Sequence, residues 1–365
     1  MPRIRLLEVG GTPYQMGYQH GKAFQKAICK LAEERIRLSC DDTWTGRTLP
    51  REQVLQLATI CLEEHYRYVP ELMQELEGMA DATGLGLAEL IIANGFTDFT
   101  DVIYNAGEPL SSAPARVGNE CTTFMVSGET TSEGLGFLGQ TWDMHETATP
   151  HVLLLRGHPK HEPAFLMFTL TGCVGMIGMN EAGISIGINN LLGADGQPGV
   201  TWPFVCRKVL AQTNLDDGLN ALLSANLAGA HNYMLADSTG RGYSIEAMST
   251  TLHMEELQDG SIVHANCCRA ETTLAVQRPL DDDLHADSMS RTSRASQFLQ
   301  RWPVTPDSLM ELTRDRSDGA YSICSISEPP YYSETCGAVI MRPATREFWG
   351  VWGLPIENEY EYFRV

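Results

Sequence analysis

Positions 16, 20, 24, 27, 31 and 36 (Met16, His20, Phe24, Ala27, Leu31, Ile36) recur at steps of about three or four residues, the period of one helical face, and predict a helix over residues 13–38. The same habit continues over residues 51–65, over 70–82 with Pro70 in a first helical turn, and over 87–93. The chain up to about residue 100 therefore reads as a helical lobe. Over residues 105–118 the periodicity stops, and Gly107-Glu108-Pro109 and Ser111-Ser112-Ala113-Pro114 read as an exposed linker.

Past the linker the pattern becomes short apolar or alternating runs punctuated by glycine, at residues 121–126, 134–142, 151–156, 164–170 and 183–188. The uncharged stretch 163–180 reaches membrane-spanning length, but Thr169, Thr171, Gly172, Gly175 and Gly178 interrupt it, and two buried strands around a glycine turn account for it. Helices are predicted at 216–227 and 294–302, with further strands at 233–236, 242–246, 261–264, 338–341 and 348–351. Runs of strands, then helices, then strands predict an α+β layered fold with the helical lobe appended at the N-terminal side. No internal repeat and no low-complexity tract is visible. Asp281, Asp282, Asp283 and Asp287 read as a solvated acidic loop.

The chain has 365 residues, enough for a large core, and its 26 basic against 46 acidic residues give a formal charge of −20. Such a surface repels phosphate backbones and anionic lipid, so neither nucleic acid nor membrane is an expected partner. Ten cysteines without a C-x-x-C pair read as reduced thiols rather than a disulfide framework. Glu8 and Gly10-Gly11 interrupt the start before any apolar region long enough for a signal peptide, which leads to the expectation of a cytoplasmic protein. Gly172-x-x-Gly175-x-x-Gly178 lacks the context of a dinucleotide fingerprint and reads as turn geometry. The P-loop, H-E-x-x-H and G-x-S-x-G patterns are missing from the sequence, which argues against nucleotide hydrolysis, zinc proteolysis and a serine-hydrolase elbow.

Cys121 stands at the head of the first predicted strand, directly after the linker, in Gly118-Asn119-Glu120-Cys121-Thr122-Thr123-Phe124. Cleavage before it would free an α-amino group of reference pKa about 7.7–8.0, able to serve as general base for its own thiol. The alternative is a small buried thiol in a strand. Asp143, one strand later, could orient such an amine or simply cap a turn. His264 and Cys267 lack distant partners at ligand spacing, and no metal or other cofactor is expected. His20 reads as a packing histidine.

Four segments carry a resemblance: Gly11-Thr12-Pro13-Tyr14-Gln15-Met16-Gly17-Tyr18-Gln19-His20-Gly21, Glu120-Cys121-Thr122-Thr123-Phe124, Gly139-Gln140-Thr141-Trp142-Asp143, and Asn180-Glu181-Ala182-Gly183-Ile184-Ser185-Ile186-Gly187-Ile188-Asn189-Asn190-Leu191. Together they resemble the acyl-coenzyme A:6-aminopenicillanic acid acyltransferase family of N-terminal nucleophile hydrolases. The resemblance implies a four-layer αββα sandwich and a self-processing cysteine enzyme. Cleavage between Glu120 and Cys121 would leave residues 1–120 as an associated small α subunit and 121–365 as the catalytic β subunit. Here Glu120 stands where the penicillin enzyme has glycine, a bulk and charge that bear on the rate of the cut.

By the same resemblance Asp143 would bind the freed amine. Asn266, in Val263-His264-Ala265-Asn266-Cys267-Cys268, would donate into an oxyanion hole, with Ala265 and Cys267 departing from the family's His-Thr-Asn-His segment. Arg291, in Ser290-Arg291-Thr292-Ser293-Arg294-Ala295, would lie beside the nucleophile; the alternative is a helix end with two solvated arginines. Asn189, Asn190, Asn232 and Tyr233 also match and would contact backbone or substrate. The expected partner is a small N-acyl amide, with acyl-coenzyme A a further one the resemblance allows. Two other readings stay open: a catalytically silent binding protein of the same fold, and an unprocessed thiol hydrolase with His145 or His264 as base.

Overall fold

The computed structural model describes residues 3–107, 121–301, 303–329 and 332–365. Helix α1 (Pro13–Ser39) opens on a capping box, in which the Thr12 hydroxyl accepts from the Gln15 N–H and the Gln15 side chain accepts from the Thr12 N–H, and Pro13 sits in its first turn. After α2 (Asp42–Thr45) come α3 (Arg51–Tyr68), α4 (Pro70–Thr83), α5 (Leu87–Asn94) and α6 (Phe96–Asn105). Helices α1 and α4 pack most closely, because Gly17 and Gly78 present no side chain at the crossing. A Cβ on Gly78 would stand 2.1 Å from the Tyr14 carbonyl oxygen.

Strands β1 (Leu6–Gly11), β2 (Thr122–Val126), β3 (Phe137–His145), β4 (Val152–Pro159), β5 (Phe165–Leu170), β6 (Ile177–Asn180) and β7 (Ser185–Asn190) are followed by α7 (Trp202–Leu210) and α8 (Leu215–Leu223). Then come β8 (His231–Ala236), β9 (Gly242–Ala247), β10 (Leu252–Glu256), β11 (Ser261–His264), α9 (Glu271–Leu274), α10 (Asp282–Leu299), α11 (Pro306–Thr313), β12 (Ser333–Arg342), β13 (Glu347–Trp352) and β14 (Glu361–Arg364). Among the described residues one sheet has the order β1-β4-β5-β6-β7-β8-β9-β10 and the other β11-β2-β3-β12-β13-β14. Among the pairings of these described strands, β1–β4 alone is parallel.

The sheets meet face to face where β2 and β3 cross β7 and β8. Helices α7 and α8 cover the outer face of one sheet at β6, β7 and β8, and α10 and α11 cover the other at β11, β2, β3 and β12. This is a four-layer αββα sandwich, the α+β class the sequence predicts. β2 and β3 are buried at every residue, as expected of strands covered on both faces. Gln140 of β3 stitches the two sheets together. Its Nε2 donates to the Ile188 carbonyl at 2.6 Å and its Oε1 accepts from the Ile188 N–H at 2.8 Å.

Several expectations are corrected. The N-terminal lobe is not purely helical: β1 leaves it to pair with β4 through the register Leu6↔Leu154 to Gly11↔Pro159, a long-range contact that a six-residue run does not announce. The acidic cluster is not a loop. The Asp281 side chain caps α10 by accepting from Leu284 N–H at 2.9 Å, and Asp282 and Asp283 occupy the first turn, where the helix dipole favours negative charge. Helix α10 thus begins well before residue 294. Of the expected linker 105–118, Asn105 instead ends α6, and residues 108–118, with Asn119 and Glu120, lie outside the described residues. The two strands expected within 163–180 are β5 and β6, with Gly172 at φ +87° in the turn between them. No helix among the described residues is long and apolar enough to cross a membrane.

Candidate active site

Cys121 is buried at the head of β2, where the strand emerges beside β3. Its Sγ lies 3.4 Å from the Asp143 N–H nitrogen and 3.8 Å from the Asp143 carbonyl oxygen, so the thiol rests against the main chain of β3. Asp143 itself is fully buried, near enough to Cys324 and Cys336 for its charge to help raise the pKa of both thiols, behind the larger effect of their burial. Burial pushes Cys61 and Cys324 to about 12 and Cys173 to about 11, which marks these as packing thiols.

The Cys121 carbonyl oxygen accepts two side-chain donors, Arg291 Nη1 at 2.7 Å and Asn189 Nδ2 at 3.1 Å. Arg291 is buried in the middle of α10 rather than solvated at its end. Its Nε and Nη2 donate to Asp287 Oδ2 at 3.0 and 2.6 Å, one turn earlier on the same helix face. Its Nη1 also reaches the Thr122 hydroxyl at 3.0 Å, and its Nη2 reaches Asn266 Oδ1 at 3.0 Å. Arg294, by contrast, turns to Asp315 and Ser317.

Asn266 is held on three sides. Its N–H donates to the Ser288 hydroxyl at 3.0 Å, its Oδ1 accepts from Arg291, and its Nδ2 donates to the Asn190 carbonyl at 2.9 Å. An amide nitrogen has two hydrogens, so one donor remains after the Asn190 contact. Asn189 Nδ2 also donates to the His264 carbonyl at 3.3 Å, and Asn232 Nδ2 donates to Asn189 Oδ1 at 3.2 Å. Ser244 completes the chain by donating to Asn232 Oδ1 at 3.0 Å.

The structure thus brings Cys121, Asn189, Asn232, Asn266 and Arg291 into one hydrogen-bonded network, with Asn190 contributing its main chain and Asp143 its backbone beside the sulfur. Tyr233 stands apart. It follows Asn232 on β8, so its side chain leaves the opposite face of the strand, where Cys206 of α7, Asp98 and Tyr68 are its charged or titratable neighbours.

Neither histidine proposed as a base has a suitable nitrogen. His264 Nδ1 and Nε2 face acceptors, the Ala265 carbonyl at 2.8 Å and Glu246 Oε1 at 2.9 Å. His145 Nδ1 takes a hydrogen from Arg35 at 2.9 Å, and burial followed by the nearby Arg35 charge presses its pKa down to about 2. His20 packs inside α1 and accepts the Gly172 N–H at 3.0 Å.

A family model described as acyl-coenzyme A:6-aminopenicillanic acid acyl-transferase matches residues 129–357, a stretch that starts shortly after Cys121 and includes Asp143, Asn266 and Arg291. The chain is 25% identical over 318 residues to the acyl-coenzyme A:6-aminopenicillanic-acid-acyltransferase 40 kDa form of Emericella nidulans, covering 86% of this chain and 82% of that one. It is 24% identical over 252 residues to an uncharacterized protein of Archaeoglobus fulgidus, covering 65% of this chain and 42% of that one. Similar solved structures include a conjugated bile acid hydrolase from Clostridium perfringens, at TM-score 0.44 and 13% identity over 67% of this chain and 97% of that one. Penicillin V acylase from Agrobacterium tumefaciens has TM-score 0.43 and 12% identity, over 67% of this chain and 86% of that one.

Proposed function

Because the chain belongs to the acyl-coenzyme A:6-aminopenicillanic acid acyl-transferase family, we propose that it is a self-processing enzyme that removes or transfers an acyl group held in a linear amide, with Cys121 as nucleophile. The observation that carries this reading is the clamp on residue 121: two side-chain amides or guanidinium groups hold its carbonyl while its sulfur rests on β3. A packing cysteine has no need of a buried arginine and a buried asparagine on its main chain.

Processing begins when the Cys121 thiol attacks the carbonyl carbon of residue 120. The C–N bond breaks, an internal thioester forms, and the α-amino group of Cys121 is released. Water then hydrolyses the thioester, leaving a carboxylate on Glu120 and the thiol on Cys121. Residues 1–120 remain as a small subunit, held by α6, whose residues from Phe96 to Ile103 are all buried.

In the mature enzyme the new α-amino group takes the thiol proton, with Asp143 orienting it. The sulfur adds to the substrate carbonyl. The developing oxyanion receives the spare Nδ2 hydrogen of Asn266, and the amine leaves with the proton carried by the α-amino group. Water hydrolyses the resulting thioester to the free acid and regenerates the thiol; an acceptor amine or thiol in place of water would make the enzyme a transferase. Hydrolysis is the proposed outcome, since water requires no acceptor site of its own. The substrate class is a small N-acyl amine, N-acyl amino acid or peptide amide, and no cofactor takes part.

The reading is tested by incubating processed protein with a library of acyl amides and measuring both released amine and the intact mass of the fragment that starts at Cys121. One or more amides should be turned over, and an acyl adduct should appear on that fragment with wild type and disappear with Cys121→Ala. Turnover that survives Cys121→Ala contradicts the assignment.

A further inference from the structure

Glu246 is a buried carboxylate on β9 with no place in the chemistry above, yet it gathers more polar contacts than most acids in the molecule. Its Oε1 accepts from His264 Nε2 at 2.9 Å and from the Arg269 N–H at 2.8 Å. Its Oε2 accepts from the Ala270 N–H at 3.3 Å and from the Thr273 hydroxyl. One side chain therefore grips both ends of the segment 264–273, and Asn266 lies inside that segment.

His264 extends the grip. Its Nδ1 lies 2.8 Å from the carbonyl oxygen of Ala265, the residue before Asn266, and its own carbonyl accepts from Asn189 Nδ2. Burial lowers the pKa of His264 and the Glu246 hydrogen bond opposes that shift, so ring and carboxylate are held as a pair. Burial raises the Glu246 pKa, but the hydrogen bonds from His264, Thr273 and the Arg269 N–H outweigh it and bring it down to about 2.

We propose that Glu246 and His264 are positioning residues, which through the main chain at Ala265 set the direction of the Asn266 amide and, through the His264 carbonyl, the amide of Asn189 on Cys121. This inference rests on the proposed role of Asn266. A carboxylate fits the task because four donors converge on it from the loop, and ionised acceptors hold such donors more tightly than neutral ones. Geometry at an oxyanion donor matters on the scale of tenths of an ångström, so loosening this loop acts on turnover before it acts on stability.

The test is a double-mutant cycle with 4-nitrophenyl acetate as acyl donor. Glu246→Gln turns one acceptor oxygen into a donor and should lower kcat about tenfold with KM unchanged in otherwise wild-type protein, but no more than about twofold in an Asn266→Ala background. Thr273→Val removes one hydrogen bond to the carboxylate without removing charge; it should show the same dependence on Asn266 with a smaller loss, and it carries the test if Glu246→Gln does not fold. Equal losses in both backgrounds, or full kcat for Glu246→Gln and Thr273→Val while Asn266→Ala is impaired, overturns this inference alone. Full turnover by Asn266→Ala overturns the oxyanion assignment beneath it, and the inference with it.

Discussion

Arg291 Nη1 lies 2.7 Å from the carbonyl oxygen of Cys121, tying the middle of α10 to the residue at the head of β2. The same guanidinium is bound by Asp287 through Nε and Nη2, so the clamp on Cys121 is itself aimed by an ion pair buried one turn away.

Stability and activity should therefore separate at this pair. Arg291→Met leaves the Asp287 carboxylate buried without its main partner and should cost about 3–5 kcal/mol of stability. Adding Asp287→Leu removes that stranded charge and should recover much of the melting temperature, while turnover of 4-nitrophenyl acetate stays at least about 100-fold down because the Cys121 carbonyl has lost the charged one of its two donors. Recovery of turnover along with the melting temperature would reduce Arg291 to a packing residue.

Asn266→Ala should fold with little change in melting temperature and lose about 10²–10³-fold in turnover, the scale of one oxyanion donor. Steady-state kinetics on the processed form measures it. An intact rate would remove Asn266 from the chemistry.

Acid should weaken the contact between α1 and the β5–β6 turn through His20. Burial lowers the pKa of this ring from 6.5 to about 4. Between those values the unfolded chain binds a proton that the folded chain refuses, so the stability this neutral ring contributes is complete above about pH 6.5 and is lost as the pH falls toward 4. His20→Gln keeps an acceptor for the Gly172 N–H and does not titrate. Urea midpoints from pH 7 to 4 should fall less steeply for it, by up to about 1.4 kcal/mol per pH unit. Parallel profiles would show that the ring does not titrate with folding.

At the α1–α4 crossing, Gly78→Ala sets a methyl group against the Tyr14 carbonyl and should destabilise the protein by about 1–3 kcal/mol or more, read from the same urea midpoints. An unchanged midpoint would mean that the two helices do not meet this closely.

Much of this architecture is legible in local pattern. The α1 capping box, the glycine turn between β5 and β6, and the change from helical to strand habit across the linker all depend on neighbours in sequence. β1 escapes that reading because its identity comes from pairing with β4 more than a hundred residues later. β10 escapes it for a different reason: it is an edge strand whose residues are all exposed, and the alternation of Leu252 and Met254 with polar neighbours stops at Glu256. The acidic run at Asp281 shows the limit of composition, since the same charges serve a loop or a helix N-terminus.

At the site, Cys121, Asn189, Asn266 and Arg291 stand out through their resemblance to a family and the linker before the cysteine. Asp287 was within reach, as an acid four residues before Arg291 on a helix. Asn232 and Tyr233 could have been separated by strand alternation. Glu246 had no signal, because what marks it is the convergence of β9, β11 and the start of α9 in space.

The central claim, that Cys121 becomes an N-terminal nucleophile by cutting its own chain, is tested most directly by the intact mass of protein purified in the presence of protease inhibitors. Wild type should give two fragments, one ending at Glu120 and one beginning at Cys121, that remain together on native size exclusion. Cys121→Ala should remain a single chain. A wild-type protein that stays whole while fully active, or a Cys121→Ala variant cut at the same bond, would contradict the account.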